Sequence, residues 1–185
     1  PHFLFNALNT VYFQIDESNK APRRTLEMIS ELLRYQLYGG NQKVSILQEI
    51  DYLKTYIALR KLRMSERLRL RVEFPPELNE LNIYPLLFLP LVENAFKYVG
   101  GDYQLDIIMK WENNRISLFI RNSIPELSAE DEALRKSVDE RQRKGIGLVN
   151  LRRRLSLLYP SKHRLETRKE ETEFVAELMI EIEEI

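Results

Sequence analysis

The sequence predicts an α+β fold, with a helical N-terminal segment followed by a sandwich of helices on a mixed, mostly antiparallel sheet. Residues 1–66 carry apolar side chains at helical spacing. From residue 67 the pattern changes, and several segments alternate between apolar and polar side chains, as strands do. Helices interrupt these strands, most of which form hairpins. We therefore predict two domains, residues 1–66 and 67–185.

Composition excludes several classes of protein. The 185 residues are 44% hydrophobic and 30% charged, as in a globular protein. Lys+Arg and Asp+Glu both number 28, so the net charge gives no reason to expect nucleic acid as a partner. The chain has no cysteine, which excludes disulfides, cysteine zinc sites and thiol nucleophiles.

No segment of the sequence predicts a membrane span. The longest apolar run, Tyr84–Val92, is far shorter than the roughly 20 residues that a spanning helix needs, and it contains two prolines. No signal peptide is evident. The chain opens on Pro1-His2 without an initiator Met, so we expect a fragment whose sensor or membrane segment lies upstream.

The first domain is predicted to contain three helices. The first covers residues 2–17, and the second starts near Pro22 and ends at Gly39-Gly40. Ser45 and Gln48 form a capping-box pattern at the start of the third. In the first helix, the residues that follow helical spacing are Phe3, Ala7, Leu8, Val11 and Ile15. The predicted buried stripe of the second is Leu26, Ile29, Leu33 and Leu37, and the apolar face of the third is Ile46, Ile50, Leu53 and Ile57.

The second domain is predicted to mix strands and helices. Strands cover residues 68–74, 103–111, 116–120, 163–169 and 173–182, and Asn113-Asn114 forms a tight turn between two of them. Helices cover residues 86–99 and 147–159. The charged stretch 124–144 lacks a sustained apolar period, which indicates a loop.

The first helix carries a candidate phosphoryl acceptor. His2, Asn6 and Asn9 lie at i, i+4 and i+7 and so share one helix face. A neutral imidazole nitrogen accepts a phosphoryl group near pH 7, and the amides can orient the ring. Position alone favours an ordinary surface histidine near a chain start.

Two further segments indicate a phosphate site. Asn94 and Lys97 lie on one face of an otherwise apolar helix, and an amide oxygen suits Mg²⁺ while an ammonium meets phosphate. The alternative is a solvated helix face. Gly145 and Gly147 precede a helix, where a bare backbone allows phosphate to approach free N–H groups.

These segments together resemble the LytS-type sensor histidine kinases, whose ATP-binding domain has the Bergerat fold. The matching stretches are PHFLFNALN at 1–9, LPLVENAFKY at 89–98 and GIGLVNLRRRL at 145–155. The resemblance implies ATP and Mg²⁺ as cofactors, a lid at 124–144, and autophosphorylation of His2. Its site residues are implied to be Asn6 beside the acceptor, Glu93 as base, Asn94 as Mg²⁺ ligand, and Lys97, Tyr98, Asn122, Gly145, Gly147, Leu148 and Thr172 around the nucleotide.

The resemblance also implies partners and a location. It implies a homodimer formed by the first domain, a response-regulator protein that receives the phosphoryl group, and the cytoplasmic portion of a membrane-anchored bacterial sensor protein. The stimulus, the cognate regulator and the upstream domain are not encoded in this segment.

The chain departs from the family pattern in two places. The family has Asp-x-Gly after the central hairpin, where Asn122 and Ile124 stand here. It also tends to have Gly-Thr before the last strand, where this chain has Glu171-Thr172. These departures favour an alternative, a degenerate kinase that dimerises and docks a regulator without turning over ATP. A third alternative is another Bergerat ATPase that hydrolyses ATP, against which PHFLFN argues, since hydrolysis requires no acceptor histidine.

Overall fold

A computed structural model describes residues 2–38, 42–76, 78, 81–126 and 146–182. The chain divides into two compact units, Pro1–Met64 with Asn82–Leu86, and Ser65–Leu81 with Leu87–Ile185. The predicted loop at 124–144 lies mostly outside the described residues, as does the Gly39-Gly40 helix end. The predicted division of roles between residues 1–66 and 67–185 stays a prediction.

After the first two helices, one strand precedes the third helix, and each later helix is preceded and followed by a pair of strands. In chain order they are α1 (His2–Gln14), α2 (Lys20–Tyr38), β1 (Val44–Ser45), α3 (Ile46–Lys61), β2 (Arg69–Glu73), β3 (Asn82–Ile83), α4 (Leu89–Tyr98), β4 (Gln104–Glu112), β5 (Arg115–Ser123), α5 (Ile146–Leu158), β6 (His163–Lys169) and β7 (Glu173–Glu181).

Helix α1 ends at Gln14 rather than at the predicted residue 17. The carboxylate of Asp16 accepts hydrogen bonds from the backbone N–H (2.8 Å) and the hydroxyl of Ser18. Such a local side-chain turn competes with continuation of the helix. The hydroxyl and backbone donors of Ser18 lower the pKa of Asp16.

The residues of α1 that follow helical spacing are only partly covered. Phe3 is 86% exposed and Val11 is 46% exposed, whereas Phe5, Leu8, Tyr12 and Ile15 are half-buried. The half-buried residues also recur at helical spacing, and α1 packs against α2 in the same unit.

Tyr12 fixes this packing. Its hydroxyl donates to the Glu27 carboxylate at 2.9 Å, and the Arg23 guanidinium carbon lies 4.9 Å from its ring centroid.

On α2, the predicted core residue Leu37 is 46% exposed and Leu32 is buried instead.

Helix α3 follows its sequence pattern closely. The Ser45 hydroxyl accepts from the backbone N–H of Leu47, and the Gln48 side chain accepts from the backbone N–H of Ser45. The predicted capping box is therefore confirmed. All four predicted stripe residues are buried: Ile46, Ile50, Leu53 and Ile57.

The second unit contains a five-stranded sheet in the order β2-β4-β5-β7-β6. Strand β2 runs parallel to β4, and the other neighbouring pairs are antiparallel. Asn113 and Asn114 have φ of 52° and 59°, as the two-residue turn between β4 and β5 requires. The predicted α+β class, with a helical N-terminal segment and a mixed, mostly antiparallel sheet, is confirmed.

One face of this sheet forms the core of the unit. Helix α4 packs on β4, β5 and α5, and α5 also packs on β6. Alternate strand residues and the inner helix positions are buried: Leu105, Ile107, Met109, Ile116, Leu118, Ile120, Leu178, Ile180, Leu91, Val92, Ala95, Phe96, Leu151 and Leu155.

Helix α4 begins at Leu89, three positions after the predicted start at residue 86. Leu86 has φ of 58°, in the left-handed region, and cannot belong to a right-handed helix. Phe88 is the N-cap, and Pro90 stands in the first turn, where its missing N–H is tolerated. Within the described residues, no helix is both long and apolar enough to cross a bilayer.

Candidate functional site

A fully buried amide lies near the end of β5. Asn122 is 0% exposed and pairs with Leu105 on β4 and Phe174 on β7. Strand alternation places it on the same face as Ile120, the face that packs against helices. Its Nδ2 donates to the carbonyl oxygen of Ser123 at 3.2 Å. Its Oδ1 has no hydrogen-bond partner among the described residues.

The buried Oδ1 of Asn122 needs a hydrogen-bond donor. A buried polar atom without a partner costs about 1–3 kcal/mol. The amide cannot solve this by turning over, because Oδ1 would then face the Ser123 carbonyl oxygen, which is another acceptor. A ligand N–H group placed against Oδ1 would remove the cost.

The neighbouring residues hold this end of β5 rigidly. The Ser123 hydroxyl donates to the Gly100 carbonyl oxygen at 2.6 Å and accepts from the Gln104 N–H at 2.9 Å. The Gly100 N–H in turn donates to the Ser123 carbonyl oxygen at 3.0 Å. The turn after α4 is thereby fixed to the strand that carries Asn122.

Sequence reasoning missed the role of the Gly100-Gly101 pair. A Cβ on Gly100 would lie 2.9 Å from the Pro125 ring, and one on Gly101 would lie 2.9 Å from the Ile124 carbonyl oxygen. Gly101 also has φ of 60°, which favours glycine. The signal was a glycine pair directly after an amphipathic helix.

Helix α4 carries four of the predicted site residues. Asn94 is half-buried, whereas Glu93 and Lys97 are exposed and Tyr98 is 38% exposed. The Lys97 Nζ lies 4.9 Å from the centroid of the Tyr98 ring. These residues lie on the helix that packs against β5, the strand of Asn122.

The start of α5 contains two of the predicted nucleotide-site residues, Gly147 and Leu148. No described atom lies within 4 Å of a Cβ built on Gly147, so close packing does not explain why this position is a glycine. Leu148 is half-buried. Gly145 lies outside the described residues. Arg152 donates to the Leu165 carbonyl oxygen at 3.0 Å, which ties α5 to β6 and gives this arginine a structural role.

Thr172 lies beside the same end of the sheet. Its carbonyl oxygen accepts from the N–H of Ile124 at 2.8 Å, and Ile124 lies two positions after Asn122. Thr172 itself is exposed. The structure therefore places the Thr172 backbone at the end of β5. Helix α4 packs against both β5 and α5.

His2 and Asn6 lie in the other unit. His2 begins α1, but its side chain is outside the described part of the chain. Asn6 is exposed, and its carbonyl oxygen accepts from the Thr10 hydroxyl at 2.9 Å.

The described residues hold no group of three or more His, Cys, Asp or Glu side chains that could bind a metal ion by themselves. Mg²⁺ does not require such a group, since it commonly uses one or two protein oxygens together with phosphate oxygens and water. The half-buried amide of Asn94 fits that single-ligand role.

Comparison with known proteins finds a family match for the first segment. Residues 1–68 match the histidine kinase family. Sensor protein kinase HptS of Staphylococcus aureus (strain USA300) is 29% identical over 170 residues, which cover 89% of this chain. The chain spans 33% of the length of that relative.

Solved structures support the fold. Full-length ShkA, solved in complex with AMPPNP, matches with a TM-score of 0.52 at 14% identity, over 88% of this chain and 38% of ShkA. The mycobacterial sensor histidine kinase MprB matches with a TM-score of 0.50 at 13% identity, over 78% of this chain and 99% of that one. The predicted resemblance to sensor histidine kinases is confirmed by these matches, and the fold is the one seen in the solved histidine kinases.

Proposed function

We propose that this chain is the catalytic core of a sensor histidine kinase that transfers the γ-phosphoryl group of ATP to His2. The observation that carries nucleotide binding is the buried Oδ1 of Asn122, which lacks a donor among the described residues. It lies on the strand against which α4 packs, and α4 carries the predicted Mg²⁺ and phosphate ligands.

Asn122 favours adenine over guanine. The exocyclic amine of adenine is a donor that satisfies Oδ1, whereas guanine presents a carbonyl oxygen at the same position. Two acceptors facing each other in a buried site repel and leave both unsatisfied. The Thr172 side chain is exposed beside this end of the sheet and can contact the same base.

The phosphate groups of the nucleotide would be held by α4 and α5. Lys97 supplies a cation, Asn94 supplies the Mg²⁺ ligand, and the start of α5 at Gly147 supplies free backbone N–H groups. Mg²⁺, when bound, neutralises the charge that develops on the phosphate oxygens. The open space at Gly147 suits close approach of a phosphate to the backbone.

The transfer step is a displacement at phosphorus. A ring nitrogen of His2 attacks the γ-phosphorus, the bond to the bridging oxygen breaks, and ADP leaves with that electron pair. The imidazole then loses its N–H proton, for which the exposed carboxylate of Glu93 is the proposed acceptor. Asn6, one helical turn from His2, is proposed to orient the ring.

The wider assignment follows from this reaction. Phosphohistidine would pass the group to an aspartate of a response-regulator protein, and the chain would be the cytoplasmic part of a membrane-anchored bacterial sensor. The exposed apolar side of α1, with Phe3 at 86% and Phe13 at 79% exposure, supports a homodimer through the helical unit.

The test is transfer of label from γ-labelled ATP. We expect acid-labile label on the parent chain and none on His2→Gln, because glutamine has no nucleophilic ring nitrogen. The chain should be extended upstream so that His2 does not lie at a frayed helix end. Label that survives in His2→Gln refutes the acceptor assignment.

The same assay tests Asn94. Asn94→Ala should remove the Mg²⁺-dependent part of ATP binding, while Lys110→Ala, which removes an exposed cation from the other face of the sheet, should not. Equal ATP affinity of the parent chain with and without Mg²⁺ would contradict the ligand assignment.

The alternative function is a dimeric docking module that does not turn over ATP. It is favoured by Asn122, since the neutral amide lacks the charge-assisted hydrogen bond of the family's aspartate. ATP binding without any label on His2 would support this alternative.

A further inference from the structure

Strand β2 forms one edge of the five-stranded sheet and pairs with β4 on its inner side. The N–H of Arg69 donates to the Tyr103 carbonyl oxygen at 2.8 Å, so the backbone groups of Arg69 face β4. Because the bonding direction alternates along a ladder, the N–H and C=O groups of Leu70 and Val72 face away from β4. Among the described residues, no backbone group pairs with them.

The opposite edge of the sheet, β6, is covered at the corresponding groups. The N–H of Glu181 donates to the Lys162 carbonyl oxygen at 2.8 Å, which makes the backbone groups of Leu165 face away from β7. Arg152 of α5 donates to the outward carbonyl oxygen of Leu165 at 3.0 Å. A covered edge is kept from pairing with another strand. Within the described residues, β2 has no such cover.

The side chains of β2 differ between its two faces. Arg71 and Glu73 point to the face without helices, where both are exposed and their charged groups lie 2.7 Å apart. Leu70 and Val72 point to the helix-covered face, and both are half-buried. A strand added to this edge would therefore meet a cation and an anion on one face and apolar side chains on the other.

A second copy of β2 fits this pattern in one antiparallel register. Residues directly opposite each other share a sheet face, so charged side chains meet across the edge. With Val72 opposite Val72, each Arg71 lies opposite Glu73 of the second copy. Centring the pair on Leu70 would instead place Arg71 opposite Arg69. Centring it on Arg71 or on Glu73 would place that residue opposite itself. Of these four registers, the one centred on Val72 alone avoids like-charge pairs.

The same register suits the backbone and the apolar face. The outward N–H and C=O groups of Val72 would bond to those of Val72 in the second copy, as in a hydrogen-bonded antiparallel pair. Leu70 would lie opposite Phe74 of the second copy, so the apolar face continues across the edge. The contact is isologous, with one two-fold axis at Val72, and therefore closes at two copies.

We infer that β2 is a docking edge for a second copy of this chain, paired antiparallel and centred on Val72, so that the two five-stranded sheets become continuous. This surface is separate from the homodimer surface proposed for the helical unit, and the pairing does not require phosphoryl transfer. Because β2 has only five residues, the contact is small and depends on a high local concentration of the second copy.

The first test introduces cysteines into the full chain, which has none of its own. Opposite residues of a non-hydrogen-bonded antiparallel pair have Cα atoms about 4.5 Å apart, within reach of a disulfide. Arg71→Cys copies co-expressed with Glu73→Cys copies should form a disulfide-linked dimer under mild oxidation. Arg71→Cys copies alone should link at least about tenfold less, because these positions are diagonal and roughly 7–8 Å apart. Lys110→Cys, exposed on the same sheet face, measures chance collision.

The second test exchanges the charges. Arg71→Glu and Glu73→Arg each place like charges opposite each other, so association measured by sedimentation should weaken by about tenfold or more. The double variant Arg71→Glu/Glu73→Arg restores opposite charges and should restore association, as should an equimolar mixture of the two single variants. Both side chains are exposed, so the fold is retained. Association through the helical unit is common to all variants, and only the differences between them are read.

The outcomes decide between self-pairing and other uses of the edge. Linking between positions 71 and 73 that does not exceed the collision control would overturn the inference. Efficient linking of Arg69→Cys to Glu73→Cys copies would also overturn it, since this marks a different register. Protection of the Val72 amide from hydrogen exchange only after another protein is added would assign the edge to that protein instead. None of these measurements uses nucleotide, so failure of phosphoryl transfer would defeat only the proposed function.

Discussion

Glu49 and Asn122 are both completely buried polar residues, yet their surroundings differ. In the helical unit, Oε2 of Glu49 receives two hydrogen bonds, from Tyr35 and Leu86. In the sheet-containing unit, Oδ1 of Asn122 receives none from the described residues. Both residues stand among mainly apolar neighbours in the cores of their units.

The difference lies between two atoms: Oε2 of Glu49 joins parts of one unit through its two donors, whereas Oδ1 of Asn122 is suited to a ligand donor. A satisfied buried acceptor contributes to stability only while its donors remain bound to it. An unsatisfied buried acceptor costs stability, and proteins retain such costs mainly at functional sites. Substitutions at the two positions should therefore act in opposite directions.

The largest effect is expected at Glu49. Glu49→Ala leaves the Tyr35 hydroxyl and the Leu86 N–H without their acceptor, at about 1–3 kcal/mol each. We expect the free energy of unfolding, measured with urea, to fall by about 3 kcal/mol. A loss below about 1 kcal/mol would show that water or another group replaces the carboxylate.

Asn122→Leu should leave the fold intact and remove nucleotide binding. Leucine has a similar volume and no unsatisfied acceptor, so stability should stay the same or rise. The adenine amine then has no partner, and ATP affinity should fall about tenfold or more. Calorimetric titration with ATP measures this effect, and undiminished affinity would place the adenine elsewhere.

Asn122→Asp should tighten ATP binding by a smaller factor. A charge-assisted hydrogen bond is worth about 1.5–3 kcal/mol, against about 0.5–1.5 for a neutral one. The difference is on the order of 1 kcal/mol, or about fivefold in affinity. The parent chain and Asn122→Asp should both be titrated with ATP and with GTP. The substitution should raise the affinity for ATP alone. An unchanged or weaker ATP affinity would mean that Asn122 does not contact the adenine edge.

The smallest effect on stability is expected at Gly147. Alanine there meets no described atom and has the better helix propensity, so stability should rise by up to about 1 kcal/mol. ATP binding should nonetheless weaken, because the new methyl group occupies the space proposed for phosphate. Gly100→Ala is the matched control, since it collides with the Pro125 ring and should destabilise the fold.

Local patterns predicted the elements of this protein well. The capping box of α3, the Asn113-Asn114 turn and the alternating strands depend on neighbouring residues, and each was found. The resemblance singled out Asn122, which lies near the end of β5. No pattern, however, indicated that its oxygen would be buried without a partner, because this depends on β4 and β7 on either side.

Helix α1 shows why helical spacing alone cannot predict which residues are buried. Its sequence offers two apolar faces, and helical spacing cannot choose between them. The contacts of Tyr12 with Glu27 and Arg23 on α2 decide which face is covered. Phe3 is therefore exposed, although it follows the same helical spacing as the half-buried Leu8 and Ile15.

The sequence by itself determined the types and order of the elements and the residues that resemble a histidine kinase, since both depend on residues close together in the chain. Only the tertiary structure decided which side chains are buried and what they meet. Glu49 finds its partners 14 positions before it and 37 positions after it, and Gly100 meets Ser123 across 23 positions. Hydrogen bonds over such separations form only after the chain has folded, so no local pattern encodes them.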